Sequence, residues 1–115
     1  MATKDSGPAV LVLCADDHLR TSLADLLVAG GRVVWVGAPP DGGRPGVVVA
    51  ACDAWPAGWS LAKLRSVFVR VPCVMLSGSP LAGDFAVARL ARGYFLQLPA
   101  LPAEILGLVA ELSAA

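Results

Sequence analysis

The side chains of this 115-residue chain best suited to chemistry are few, and they stand just after runs of apolar residues. Asp16 and Asp17 follow the run AVLVLC at 9–14, Asp53 follows VVVAA at 47–51, and Ser77 follows CVML at 73–76. Carboxylates brought together at such places are hard oxygen donors for a cation such as Mg²⁺, although two alone seldom hold it without a third ligand and waters. A hydroxyl beside them donates to an anion or to a transferred group. The bland reading of the same residues is equally physical: Asp16 or Asp17 caps a helix, Asp53 is a loop residue or cap, and Ser77 satisfies backbone groups in a turn. Cys14 ends the run at 9–14 and Cys52 follows the run at 47–51. They suit either a redox or metal pair or two small hydrophobes filling space, and Cys73 belongs to the core. His18 is the single histidine and has no Cys or His partner at metal spacing, so it reads as a surface residue and leaves no Ser/His/Asp set. Asp41-Gly42-Gly43-Arg44 lacks the Lys-Ser/Thr that would make it a phosphate loop.

The elements that must position these residues can be read from periodicity. The runs 9–14, 32–37 (RVVWVG), 47–51, 73–76 and 94–98 (YFLQL) are short, apolar and rich in β-branched or aromatic residues, as strands buried on both faces are. Between them, Leu19, Leu23, Leu26 and Leu27 recur at helical spacing, with Gly30-Gly31 to end that helix. Leu61, Leu64, Val67 and Phe68 share a helical face with Ser60 as cap. Phe85, Ala86, Ala88, Arg89 and Leu90 imply a further helix ending near Gly93. Ile105, Leu106, Val109 and Leu112 stripe the last helix, with Pro102 in its first turn. The segment 38–46 (APPDGGRPG) is loop by every signal, and it is shorter than the dozen or so residues that a helical crossover needs. The helix between the second and third strands is therefore expected to be absent or reduced. Strands alternating with helices imply an α/β fold with a doubly wound, five-stranded parallel sheet.

Composition agrees with one domain: 57% of the chain is apolar and only 16% charged, against a typical ~25%. Residues 1–8 read as a loose leader and 9–115 as a single domain. The formal net charge is zero and no basic cluster exceeds the pair Lys63 and Arg65, which argues against direct nucleic-acid binding. No stretch approaches the ~20 apolar residues of a membrane span. No signal-peptide pattern opens the chain, and three cysteines without framework spacing fit a reducing cytoplasm.

Taken in order, the segments Arg20–Leu27 (RTSLADLL), the loop with Pro56 and Ser60-Leu61, Val71–Ser77 (VPCVMLS), and Pro99 after the fifth run give the chain a resemblance to the receiver domain of two-component response regulators. The resemblance implies the strand order 2-1-3-4-5. It also implies a phosphate site: an acidic pair after the first strand and an aspartate after the third to hold Mg²⁺, that last aspartate taking a phosphoryl group, a Thr or Ser after the fourth strand, and a Lys after the fifth. Carried over without gaps, the acidic pair falls on Cys14 and Ala15, and the phosphoacceptor, four residues before Pro56, falls on Cys52. The hydroxyl falls on Ser77 and the Lys on Leu98, with Gln97 beside it. This register keeps the first strand and the Arg20/Leu23/Leu27 pattern together. A gapped register makes Asp16 and Asp17 the pair, and a re-formed loop would aim Asp53 inward. Neither register supplies the Lys. The chain thus resembles a degenerate pseudo-receiver, with no cofactor expected, Mg²⁺ being the alternative.

Three functions follow from the residues and the resemblance. The first is a phosphorylation-independent regulatory module that binds another protein or itself. The second is a Mg²⁺-dependent phosphoacceptor using Asp16, Asp17, Asp53 and Ser77. The third is a small-molecule binder with a small apolar crevice lined by Cys14, Cys52 and Ser77, beyond the strand ends where the order reverses. For the first, Trp55 and Trp59 are candidate anchors or a packing lid. Phe85, Arg89 and Tyr94 mark a candidate docking face made by the helix at 85–90, the fifth strand and the last helix.

Overall fold

The structure, a computed structural model, describes residues 9–37, 43–68, 70–78 and 93–113. Its elements run β1 (Val10–Leu13), α1 (Asp17–Ala29), β2 (Val34–Val36), β3 (Val47–Ala51), α2 (Leu61–Val67), β4 (Cys73–Ser77), β5 (Gly93–Gln97) and α3 (Pro102–Ser113). All strand pairings are parallel and the sheet order is β2-β1-β3-β4-β5. The five apolar runs are the five strands, and the order reverses between β1 and β3, opening the place beyond their C-terminal ends where such sheets hold ligands.

The apolar runs are continuous because alternate side chains serve opposite layers. On one face Val10, Val12, Cys14, Val47, Val49, Ala51, Val74 and Leu76 meet Leu23 and Leu27 of α1 and Ile105, Val109 and Leu112 of α3. On the other, Leu11, Leu13, Val48, Ala50, Cys73 and Met75 meet Leu64 of α2 and the following Phe68, with Trp35, Trp55, Trp59 and Phe95 packed at the margin.

The helix signals read from sequence are used as expected. Asp16 caps α1, its carboxylate accepting from the Leu19 N–H at 2.9 Å. Ser60 caps α2, accepting from the Lys63 N–H at 3.2 Å. Gly31 follows α1 with φ +86°, a conformation that costs glycine little. Pro102 opens α3, where the Glu104 carboxylate accepts from the Leu101 N–H at 2.9 Å. The connection from β2 to β3 shows no helix among its described residues, 37 and 43–46. The expected leader at 1–8, and the helix at 85–90 with Phe85 and Arg89, lie outside the described residues. Among the described residues no helix is long and apolar enough to cross a membrane.

Leu27 is fully buried and the next residue, Val28, is 59% exposed. Leu27→Ala is expected to lower unfolding stability in urea by about 2–5 kcal/mol, whereas Val28→Ala should stay within about 0.5 kcal/mol of wild type.

Candidate functional site

The residues singled out for chemistry meet at the C-terminal edge of the sheet. β1 ends at Leu13, and the chain turns through buried Cys14 and exposed Ala15. The Ala15 N–H donates to the Ala54 carbonyl at 2.7 Å, tying this turn to the loop after β3. Asp16 is occupied as the cap of α1, and Asp17 is ion-paired to Arg20, one turn on. Arg20 also donates to the Cys14 carbonyl at 3.3 Å. Both acidic residues thus have local work at the start of α1, and His18 beside them is exposed.

Asp53 reaches across the edge. β3 ends at Ala51, and the Cys52 N–H still pairs with the Leu76 carbonyl at 2.8 Å, so Cys52 is the last residue in register with β4. Beyond it the chain turns, and strand alternation no longer fixes where a side chain points. The Asp53 carboxylate accepts from the Ser77 hydroxyl at 2.9 and 3.0 Å and from the Gly78 N–H at 2.9 Å. Ser77 is wholly buried while Asp53 is exposed. The Gly78 amide is the one partner that sequence gave no sign of. On the far side, the Leu98 N–H donates to the Ser77 carbonyl at 2.8 Å, and the Leu98–Pro99 bond is cis. No Lys or Arg occurs in the stretch 93–101, so no ammonium comes from β5 or the turn after it.

These donors do not fit a magnesium ion. Among the described residues no three His, Cys, Asp or Glu side chains are grouped to hold a metal. Asp16, Asp17 and Asp53 each have a separate partner.

The two thiols weighed as a pair or as space-filling hydrophobes belong to opposite layers. Cys14 packs with the α1/α3 face and Cys52 with the α2 face, because neighbouring strands present alternate side chains and the two residues end in opposite phase. All three cysteines are free. Burial raises the Cys14 thiol, and it raises Cys52 with help from the adjacent Asp53 charge. Burial alone pushes Cys73 up to about 12.

The aromatic loop is used inside the domain. Trp59 stacks on Phe68 with ring centroids 5.8 Å apart, and the Lys63 ammonium sits 4.9 Å from the Trp59 ring centre. Trp55 is half-buried against the same layer. Tyr94, on β5, is 39% exposed.

A cavity of about 680 Å³ opens elsewhere than the crevice expected from sequence. It lies between α1 and the turn into α3, lined by Leu19, Ser22, Leu26, Leu98, Pro99 and Ile105 among others. Cys14, Cys52 and Ser77 are not among the residues that line it. Its apolar walls were foreshadowed by Leu19 and Leu26, which flank the stripe that α1 buries.

No protein-family model and no curated protein matches the sequence. Solved structures do match. A Francisella response-regulator receiver domain is 18% identical with a TM-score of 0.78, covering 94% of this chain and 98% of that one. A response-regulator receiver protein from Sinorhizobium medicae is 20% identical at 0.74, covering 95% and 96%. The chain has the receiver-domain fold. The receiver domain of a sensor histidine kinase from Pseudomonas aeruginosa, with magnesium coordinated in its active-site cleft, is 17% identical at 0.75, covering 95% and 99%. In this receiver-like chain, the places just after β1 and β3 hold Cys14, Ala15 and Cys52, and Asp53 enters from one residue later.

Two measurements test the thiol assignments. Treatment with a mild oxidant should leave the folded chain without an intrachain disulfide, with three thiols titrating after denaturation; a Cys14–Cys52 bridge would contradict their placement on opposite faces. The buried Cys73 keeps its proton where the unfolded thiol, with its ordinary pKa of 9.0, loses it. Its stabilisation is therefore complete below pH 9 and is lost as pH rises toward about 12. Urea midpoints across that window should fall more steeply for wild type than for Cys73→Ala.

Proposed function

We propose that this chain is a receiver-like regulatory module that acts by protein contact and does not depend on phosphorylation. The observation that carries this reading is the Asp53 carboxylate closed onto the Ser77 hydroxyl and the Gly78 amide, with Asp16 and Asp17 engaged at the start of α1. Stabilising a transferred phosphoryl group calls for a cation, held by gathered carboxylates, and an opposing positive charge. The five-stranded apolar sheet is kept while, among the described residues, those charges are missing or tied elsewhere, which favours binding over chemistry. The outer surface at β5 and the start of α3, with Tyr94 39% and Leu101 67% exposed, is the contact face in this reading. Aromatic and apolar side chains of this kind form interface centres.

A second reading, in which Asp53 accepts phosphate, draws on its closeness to Ser77. One experiment separates the two. The chain is incubated with Mg²⁺ and beryllofluoride while tryptophan fluorescence is followed, and separately with acetyl phosphate before intact-mass measurement. Under the proposed function neither the spectrum nor the mass changes. Saturable Mg²⁺-dependent quenching together with a phosphoryl adduct lost in Asp53→Asn would establish the second reading instead.

A further inference from the structure

β2 forms one edge of the sheet and pairs on one side only, with β1. Two hydrogen bonds fix which of its backbone groups face inward. The Val10 N–H donates to the Val33 carbonyl at 2.8 Å, and the Gly37 N–H donates to the Val12 carbonyl at 3.1 Å. Backbone groups alternate sides along a strand. Residues 33, 35 and 37 therefore serve β1, and the N–H and C=O of Val34 and Val36 point out along the open edge. Such an edge is a template for another strand, and natural edges are often guarded by charge or proline. The stretch 33–37 (VVWVG) has neither. Apolar surface collects at the same place. Val33 and Val36 are exposed, and so is Val28 in the last turn of α1, which is tied to the start of β2 by the Arg32 N–H donating to the Leu27 carbonyl. These are three of the six large apolar residues exposed among the described residues.

We propose that the outer edge of β2 pairs antiparallel with β2 of a second copy of this chain, joining two sheets into one. The parity of the edge makes it self-complementary. A two-fold axis at Trp35 sets Val34 opposite the other copy's Val36, and both are outward residues, so each such pair exchanges two N–H···O bonds. The two Trp35 side chains then stand opposite each other at the closer, non-hydrogen-bonded site, where aromatic pairs add stability. Arg32, the only charge in 32–37, falls at opposite ends of the ribbon, so like charges do not meet. The strand is short, Val34–Val36, so association is weak and concentration-dependent. This surface is the edge opposite to the β5 face of the proposed function and does not rest on that reading.

The test is sedimentation velocity of the full chain over a range of concentrations. Wild type should shift from monomer to dimer as concentration rises. Val36→Pro removes an outward N–H and leaves the β1 pairing untouched, and Val36→Lys places a charge on the edge. Each should weaken dimerisation about tenfold or more while the dilute chain melts near wild type. Trp35→Cys should give a disulfide-linked dimer under mild oxidant, and Val33→Cys, which the register sets away from its own copy, should not. A wild-type chain that stays monomeric throughout would overturn the proposal. So would a dimer unaffected by both Val36 variants, or the absence of a link through Trp35→Cys in a chain whose circular dichroism matches wild type.

Discussion

A parallel sheet covered on both faces has nowhere to put a polar side chain along its central strands. Val10–Leu13, Val47–Ala51 and Cys73–Ser77 are buried at every position, and Ser77 at the last of them is the single polar residue. Whatever chemistry or recognition the molecule has is thereby driven to the strand ends, the loops and the outer helix faces. The same constraint separates Cys14 from Cys52, since each strand end must serve one layer or the other.

At the strand ends, polar groups settle into bonds within the chain. Asp16 serves the open N–H groups of α1, Asp17 meets Arg20, and Asp53 meets Ser77 and Gly78. None of these pairings asks for a metal. Their combined effect is a rim in which the turn after β1 and the loop after β3 are joined backbone to backbone, through Ala15 and Ala54. A rim bonded in this way holds the aromatic loop in one place, and the stacking of Trp59 on Phe68 under Lys63 continues that order into α2.

The layer carrying α2 shows how side chains complete a cover. α2 is short, Leu61–Val67, and it offers Leu64 and the following Phe68 to the core. Trp35, Trp55 and Trp59 pack beside them. Large rings bury much area for few residues, so the tryptophans extend the cover beside this short helix. This is why a segment that looks adhesive in sequence is engaged within the fold.

The α/β class, the five strands, the helices at 17–29, 61–67 and 102–113, and the caps at Asp16 and Ser60 were legible in the residues, because each depends on neighbours a few positions apart. The strand order was legible only through a resemblance, which the parallel pairings then bore out. Three features belonged to the tertiary structure. Asp53 stands one residue out of step with the expected position, and counting along an extended strand aims it away from the pocket. The chain leaves the strand at Ala51, however, and a turn residue is free to swing toward donors more than twenty positions on. The thiols' opposite faces and the cavity between α1 and the turn into α3 likewise depend on how separate elements pack. Sequence by itself determined which residues are apolar and where the chain turns. Only the packed fold decided which polar groups met, because hydrogen bonding between distant segments is set by their approach in space.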